Sequence, residues 1–329
     1  MSQDFNHTTV LLYATVNALV DPHFSAKSKA VHSPLPAQQK DGVFVDGTFG
    51  RGGHSRYLLS HLSPKAKLFV FDKDPEAMKV AYELQAEDPR VIPVHQAFST
   101  MPEVLAEYGV FGVQGIMMDL GVSSPQLDDA ARGFSFMRDG PLDMRMDTSR
   151  GITAAEWLNT ASLDEIRGVI KDYGEERYAF QIAKKIVDRR QSSPFRSTLE
   201  LAQLVAGVVK SREKGHHPAT RTFQAVRVYI NQEHEELARS LASVLELLDA
   251  GGRLAVISFH SLEDRPVKQA IAKASSLDPE LAKLPLRDSE LPPARLINLG
   301  KVQASPEEVQ RNPRSRSAML RVAERTAAE

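Results

Sequence analysis

The 329-residue chain contains no cysteine. That absence removes disulfides, thiolate zinc sites and iron–sulfur clusters together with the radical chemistry they support. It also removes every mechanism that needs a cysteine nucleophile, including methylation of cytosine at carbon 5 through a covalent adduct. Excess charge is missing too. Lys and Arg number 41 against 42 Asp and Glu, a formal net charge of −1, so a nucleic-acid partner has to be held by local basic patches rather than by a global field. Long hydrophobic runs are the third lack. The first twenty residues carry no Lys or Arg, and the apolar stretch Val10 to Ala14 is too short for a secretory core or a membrane span, so the expectation is a cytoplasmic protein with no membrane partner. The length exceeds what one core usually fills, which predicts two domains or one domain with a large insertion.

What is present begins with VFVDGTFGRGGH at 43–54, an apolar strand that ends on Asp46 and runs into four glycines within residues 47–53. Glycine has no Cβ and tolerates positive φ, so such a cluster lets a ligand or another backbone approach closely. A triphosphate-binding P-loop is excluded, because Gly52 is followed by Gly53 and His54 where Lys and Ser or Thr are required. A dinucleotide loop fits as far as Gly50-Arg51-Gly52 but meets Ser55 at the third glycine position. An S-adenosylmethionine loop fits as well, with Asp46 suited to that ligand's cationic ammonium end. The segment alone leaves the last two open, beside a tight turn with no ligand.

KLFVFDKD (67–74) repeats the pattern of strand then acid, with helical spacing in RYLLSHL between, so the unit is strand, glycine loop, helix, parallel strand. Asp72 falls twenty residues after Gly52, where a ribose hydroxyl pair would be held. VIPVH (91–95) and GIMMDL (115–120) predict two more strands, the second closing on Asp119. Three strands thus carry carboxylates at their C-terminal ends, the edge at which open α/β sheets bind ligands. Capping boxes at Thr153–Glu156, Ser162–Glu165 and Ser197–Glu200 then predict a helical insertion. One long amphipathic helix is expected through Phe223, Val226, Ile230, Leu237, Leu241, Val244 and Leu248, stopped by Gly251-Gly252. RLAVISF (253–259) resumes the sheet, 276–313 reads as a long irregular connection, and AMLRVAE (318–324) as a final strand near the edge.

Residues 119–147, DLGVSSPQLDDAARGFSFMRDGPLDMRMD, form a long loop of acids, arginines and phenylalanines just after a strand, where α/β enzymes place substrate-contacting groups. The competing reading is an ion-pair cluster of Asp143, Arg145 and Asp147 over a small phenylalanine core. Metal binding by these acids is disfavoured, since Arg138 and Arg145 already offer them partners.

This run, with HTTVLL (7–12), DGTFGRGGHS (46–55), DKDPEA (72–77), YGEER (173–177), HPATRTFQAVRVYIN (217–231), GGRLAVISFHSLEDR (251–265) and NPRSRSAMLR (312–321), closely resembles the ribosomal RNA small subunit methyltransferase H family, S-adenosylmethionine-dependent cytosine-N(4) enzymes. The resemblance covers about residues 7–325 and departs from it at 21–40, where an extra polar segment appears. It implies an α/β fold: a Rossmann-like class I methyltransferase core in two parts, 1–133 and 236–329, around a helical substrate-recognition insertion at 134–235. It implies S-adenosylmethionine as cofactor, contacted by Gly52, Gly53, His54, Asp72, Phe98, Asp119 and Gln126, and a decoding-site cytidine of 16S rRNA in the small ribosomal subunit as the partner. Asp119 is the candidate catalytic group. A base splayed out of its helix needs an aromatic or guanidinium face, and Phe134, Phe136, Arg138 and Arg145 are the candidates. Arg311, Arg314, Arg316, Arg321, Lys184, Lys185, Arg189 and Arg190 are candidates for phosphate contacts. A homodimer stays open, as do two other functions: an NAD-dependent oxidoreductase and a non-catalytic ribosome-assembly factor.

Overall fold

Both faces of a parallel sheet are buried under helices, so its strands read as continuous apolar runs rather than alternating ones. In the computed structural model, which describes residues 9–209, 217–276 and 293–327, this holds for the central strands. Helix α1 (Leu12–Val20) leads into β1 (Val43–Asp46), α2 (Gly53–Leu59), β2 (Lys67–Phe71), α3 (Pro75–Glu87), β3 (Val91–Val94), α4 (Met101–Glu107) and β4 (Val113–Asp119). Six helices follow: α5 (Ser124–Asp128), α6 (Ala154–Thr160), α7 (Leu163–Gly174), α8 (Ala179–Arg190), α9 (Thr198–Val208) and α10 (Thr220–Ile230). Then α11 (Glu233–Leu247), β5 (Leu248–Ser258), α12 (Ser261–Ala274), β6 (Leu296–Gln303), α13 (Pro306–Arg311) and β7 (Met319–Arg325) complete the chain.

The strands form one sheet in the order β3-β2-β1-β4-β5-β7-β6, in which β7 alone runs against the rest. Side chains alternate between its faces. Phe44, Leu68, Val70 and Ile257 pack on one side with α1, α2 and α3. Val45, Phe69, Phe71, Ile116 and Val256 pack on the other with α4, α11 and α12.

The chain divides into two compact units, Met1–Gly121 with Glu235–Glu329, and Val122–His234. The second unit begins at Val122, earlier than the 133/134 boundary expected from sequence, because Val122, Leu127 and Phe134 pack on the helical core.

Two expectations need correction. The long helix is broken between α10 and α11, with Gln232 at φ +53°. The cause is Asn231: its side chain accepts from Met146 N at 2.7 Å and donates to Met144 O at 2.7 Å and Arg227 O at 2.9 Å, so it ties the helix end to the loop instead of continuing the turn. The stretch 276–313 is also not wholly irregular, since β6 and α13 lie in it, while 277–292 fall outside the described residues, as do residues 7 and 8 of HTTVLL. Strand β6 is a mostly exposed edge strand with a register shift between Asn298 and Gly300, which blurs its period. β7 lies one strand in from that edge.

Candidate active site

The glycine loop leaves β1 at Asp46 and is stitched to the strands on both sides. Gly47 N donates to Met117 O at 2.8 Å on β4, and Phe49 N donates to Phe71 O at 2.9 Å on β2. Most of its glycines serve this close fit. A Cβ on Gly47 would lie 2.7 Å from the Met101 side chain, one on Gly52 would lie 2.7 Å from the Phe49 ring, and one on Gly53 would run into Thr9 Oγ1. Gly52 also sits at φ +76°. Gly50, at φ +56°, is different: no atom lies within 4 Å of where its Cβ would be, so the loop is open there.

Asp46 faces inward. It is 2% exposed, accepting from Ser55 Oγ at 2.6 Å and from Thr48 N at 3.1 Å. Its role toward a ligand's ammonium group is therefore not direct. Ser55, the departure from the dinucleotide pattern, is the hydroxyl that satisfies this buried acid. Burial nevertheless pushes the Asp46 carboxyl up to about 6, against the lowering effect of the Ser55 and Thr48 bonds.

Asp72, just beyond β2, accepts from Gly50 N at 2.8 Å and Asp74 N at 2.9 Å, one on each carboxylate oxygen. Each oxygen keeps a second lone pair, which suits a pair of ribose hydroxyls. Burial raises its pKa, and the backbone bonds only partly offset that. Phe98 opens a 3₁₀ turn after β3, half-buried beside Gly47. Asp119 ends β4, and its backbone N donates to Thr48 Oγ1 at 2.6 Å. Its Oδ1 is buried with no hydrogen-bond partner. Burial, then the charges of Asp46 and Glu263, push its pKa well up. Among the described residues no Lys or Arg is ion-paired with Asp46, Asp72 or Asp119. Strands β2, β1 and β4 are adjacent, so the three acids line one edge of the sheet. A buried carboxylate oxygen lacking a donor, as at Asp119, is costly, and an edge of acids without a basic partner suits a cationic ligand with hydroxyls.

The other sequence candidates lie as follows. His54 is buried, and its Nε2 is 3.1 Å from Val10 O, which pins the start of α1. Gln126, in the second unit, closes a capping box with Ser123, whose N donates to Gln126 Oε1 at 2.9 Å. Phe134 is buried in the helical core. Phe136 is half-buried, its ring 4.6 Å from that of His217 and 4.8 Å from that of Phe223. Arg138 is exposed. Arg145 makes a two-pronged bond to Asp143 at 2.8 and 2.9 Å. Of the basic residues, Arg321 is held by Asp264 at 2.7 and 2.9 Å, Arg189 lies 3.4 Å from Glu200, and Arg190 donates to Leu158 O and Ala161 O. Lys184, Lys185, Arg311, Arg314 and Arg316 are exposed. Sequence reasoning missed the roles of Thr48, inside the glycine run, and Ser55, two residues past it, and left the FHSLED motif without a role although its position just past a strand end pointed to the same edge.

A seven-stranded sheet in the order β3-β2-β1-β4-β5-β7-β6, with only β7 reversed and a glycine loop after β1, is the Rossmann-like core of the class I S-adenosylmethionine-dependent methyltransferases. A sequence model of the MraW methylase family matches residues 4–326, and the chain belongs to that family. It is similar to the ribosomal RNA small subunit methyltransferase H of Bordetella petrii, 62% identical over 98% of this chain and 90% of that protein. It is similar also to the protein so named in Chromobacterium violaceum, 54% identical over 98% of this chain and 96% of that protein. Among solved structures, a putative rRNA-methylase from Clostridium thermocellum matches with a TM-score of 0.40 at 12% identity, over 88% of this chain and 90% of that one.

Proposed function

We propose that this chain methylates small-subunit ribosomal RNA, and that the acceptor is the exocyclic N4 of a decoding-site cytidine of 16S rRNA, C1402 in conventional numbering. The observation that carries the chemistry is Asp119, a carboxylate with a buried, unpartnered Oδ1 at the end of the strand beside the glycine loop. Kinship with the small-subunit rRNA methyltransferases supplies the class of acceptor.

S-adenosylmethionine, when bound, supplies a methyl group on a sulfonium, open to in-line displacement. Gly50 gives it room, Asp72 takes the ribose hydroxyls, and Phe98 stands for the adenine face, with Gly52, Gly53 and His54 contributing through their backbone. Gln126 is the remaining proposed contact. The amine of cytosine is a poor nucleophile because its lone pair is conjugated with the ring. Asp119 Oδ1 accepts an amine hydrogen and helps hold that lone pair out of conjugation, aligned for attack. Such positioning contributes roughly 7–11 kcal/mol of a barrier in well-oriented systems. For the flipped base, exposed Arg138 and half-buried Phe136 are the available faces. Phe134 and Arg145 hold the loop that carries them. Phosphate contacts fall to Lys184, Lys185, Arg311, Arg314 and Arg316, whereas Arg189, Arg190 and Arg321 serve the fold.

The test is incubation with labelled S-adenosylmethionine and unmethylated small subunits, with the product mapped by mass spectrometry. Label on a cytosine amine is expected. Label on protein, on a ring carbon or on a ribose oxygen overturns the proposal.

A further inference from the structure

The motif at the end of β5, Phe259-His260-Ser261-Leu262-Glu263-Asp264, has no part in the site as described so far. Its position is at that site. The ends of β4 and β5 are side by side, with Asp119 paired to Ile257 and Leu120 N donating to Ile257 O at 3.0 Å. His260 follows three residues later and caps α12. Its Nε2 lies 2.9 Å from Glu263 Oε1, and Glu263 Oε2 accepts from Phe259 N at 2.8 Å. Glu263 is 6% exposed, and its charge is felt at Asp119.

A carboxylate can only accept, so Nε2 carries a proton, and in the neutral ring Nδ1 then carries the lone pair. A histidine held in one tautomer by a buried acid, at the edge where a proton has to be lost, is the arrangement of a general base with its orienting group. From this juxtaposition of the His260–Glu263 pair with the end of β4, we infer that His260 is the catalytic residue that takes the proton released from the cytosine amine, with Glu263 as its positioning residue. The inference rests on the proposed N4 methylation. In the step, the amine lone pair forms the new N–C bond while the C–S bond breaks and its electron pair stays on sulfur, which becomes a neutral thioether. The methylated nitrogen, now cationic, gives one proton to His260 Nδ1, and the imidazolium later passes it to water. The positive charge lost from sulfur thus reappears next to Glu263, so the acid-rich edge formed by Asp46, Asp72, Asp119 and Glu263 keeps a cation until the proton is passed to water.

The test uses the full chain with labelled S-adenosylmethionine and unmethylated small subunits, under single-turnover conditions. His260→Gln keeps a donor for Glu263 but has no basic nitrogen. It is expected to lower the rate about a hundredfold, within the range for general-base removal, with cofactor affinity and melting temperature unchanged. His260→Ala is expected to lose at least as much and to recover with added imidazole in a concentration-dependent way, which a purely structural histidine would not do. Glu263→Gln is expected to cost about tenfold. Wild-type rates in His260→Gln overturn the inference while leaving the methylation reading intact, and so does a loss in His260→Ala that imidazole does not restore and weaker cofactor binding accompanies. A wild-type chain that places no methyl on a cytosine amine overturns both.

Discussion

The acids at the sheet edge and the acids of the helical unit are the same side chains in opposite surroundings. Asp46, Asp72 and Asp119 are driven up by burial, and the neighbouring acids add to it. In the helical unit, burial pushes Asp143 up, but the bonds and charge of Arg145 outweigh it and hold the carboxyl below its usual range. Glu165 is held low by hydrogen bonds from Trp157 and Tyr229. The difference shows where the molecule has solved its electrostatics internally and where it has left them for something that arrives later. Paired acids are structure, and buried acids of one sign without a basic partner mark a candidate site for a cation.

The strongest way to break this contrast is Asp119→Asn. It keeps the shape and removes the charge, and is expected to slow methyl transfer a hundredfold or more, about the effect of deleting one preorganised electrostatic contact. The raised pKa adds a direction: the ionised carboxylate is the stronger acceptor, so activity is expected to fall on the acid side at a pH above the ordinary carboxylate range. Normal rates in Asp119→Asn, measured with labelled cofactor, would leave Asp119 no part in the reaction.

Asp46→Asn tests the same edge through stability. Native Asp46 keeps its proton up to about pH 6, whereas in the unfolded chain it loses it near 4. Between these values the folded state binds more protons, so this group's contribution lowers stability as pH rises through the window. Asn removes the dependence while still accepting from Thr48 N. Urea unfolding without cofactor is expected to show the variant more stable by up to about 3 kcal/mol at pH 8 and little changed at pH 4. Equal stability at pH 8 would mean that Asp46 is compensated in the fold.

In the helical unit the sign should reverse. Asp143→Ala strips the partner from Arg145, whose side chain is only 20% exposed. The expected cost is about 2 kcal/mol, below that of a fully buried pair because water reaches the guanidinium. A thermal melt at pH 7 in which the variant matches the parent would remove the distinction between the two groups of acids.

The contrast was half visible in the sequence. The apolar runs, the acid at the end of each strand and the glycine loop follow from local patterns, and those patterns hold because both sheet faces are buried. The break after Ile230 was not legible, because it depends on Asn231 reaching Met144 and Met146, 87 and 85 residues away. Strand β6 was hidden by its exposure and its register shift. At the site, Asp72 and Asp119 could be chosen by position. That Asp46 turns inward to Ser55, and that Arg145 is already taken by Asp143, are facts of partner geometry that a one-dimensional spacing does not carry. The glycines misled in a useful way. Three of the four make room for Met101, Phe49 and Thr9, and Gly50 is where the loop opens.

The smallest effect probes how an acid in the helical unit came to be spent on structure. Ser162 caps α7 by accepting from Glu165 N at 3.2 Å, so the sequence pattern of a capping box is present. The Glu165 carboxylate binds Trp157 Nε1 at 3.0 Å and the Tyr229 hydroxyl at 2.9 Å, which locks α6 and α10 onto α7. Ser162→Ala should therefore cost only the single cap bond, about 0.5–1 kcal/mol, read as a small drop in melting temperature. A larger loss would mean that Ser162 also positions Glu165 for its tertiary bonds. The cap and the helix packing would then be one cooperative unit, and the acids of this region would be tied into the fold more tightly than pairing alone requires.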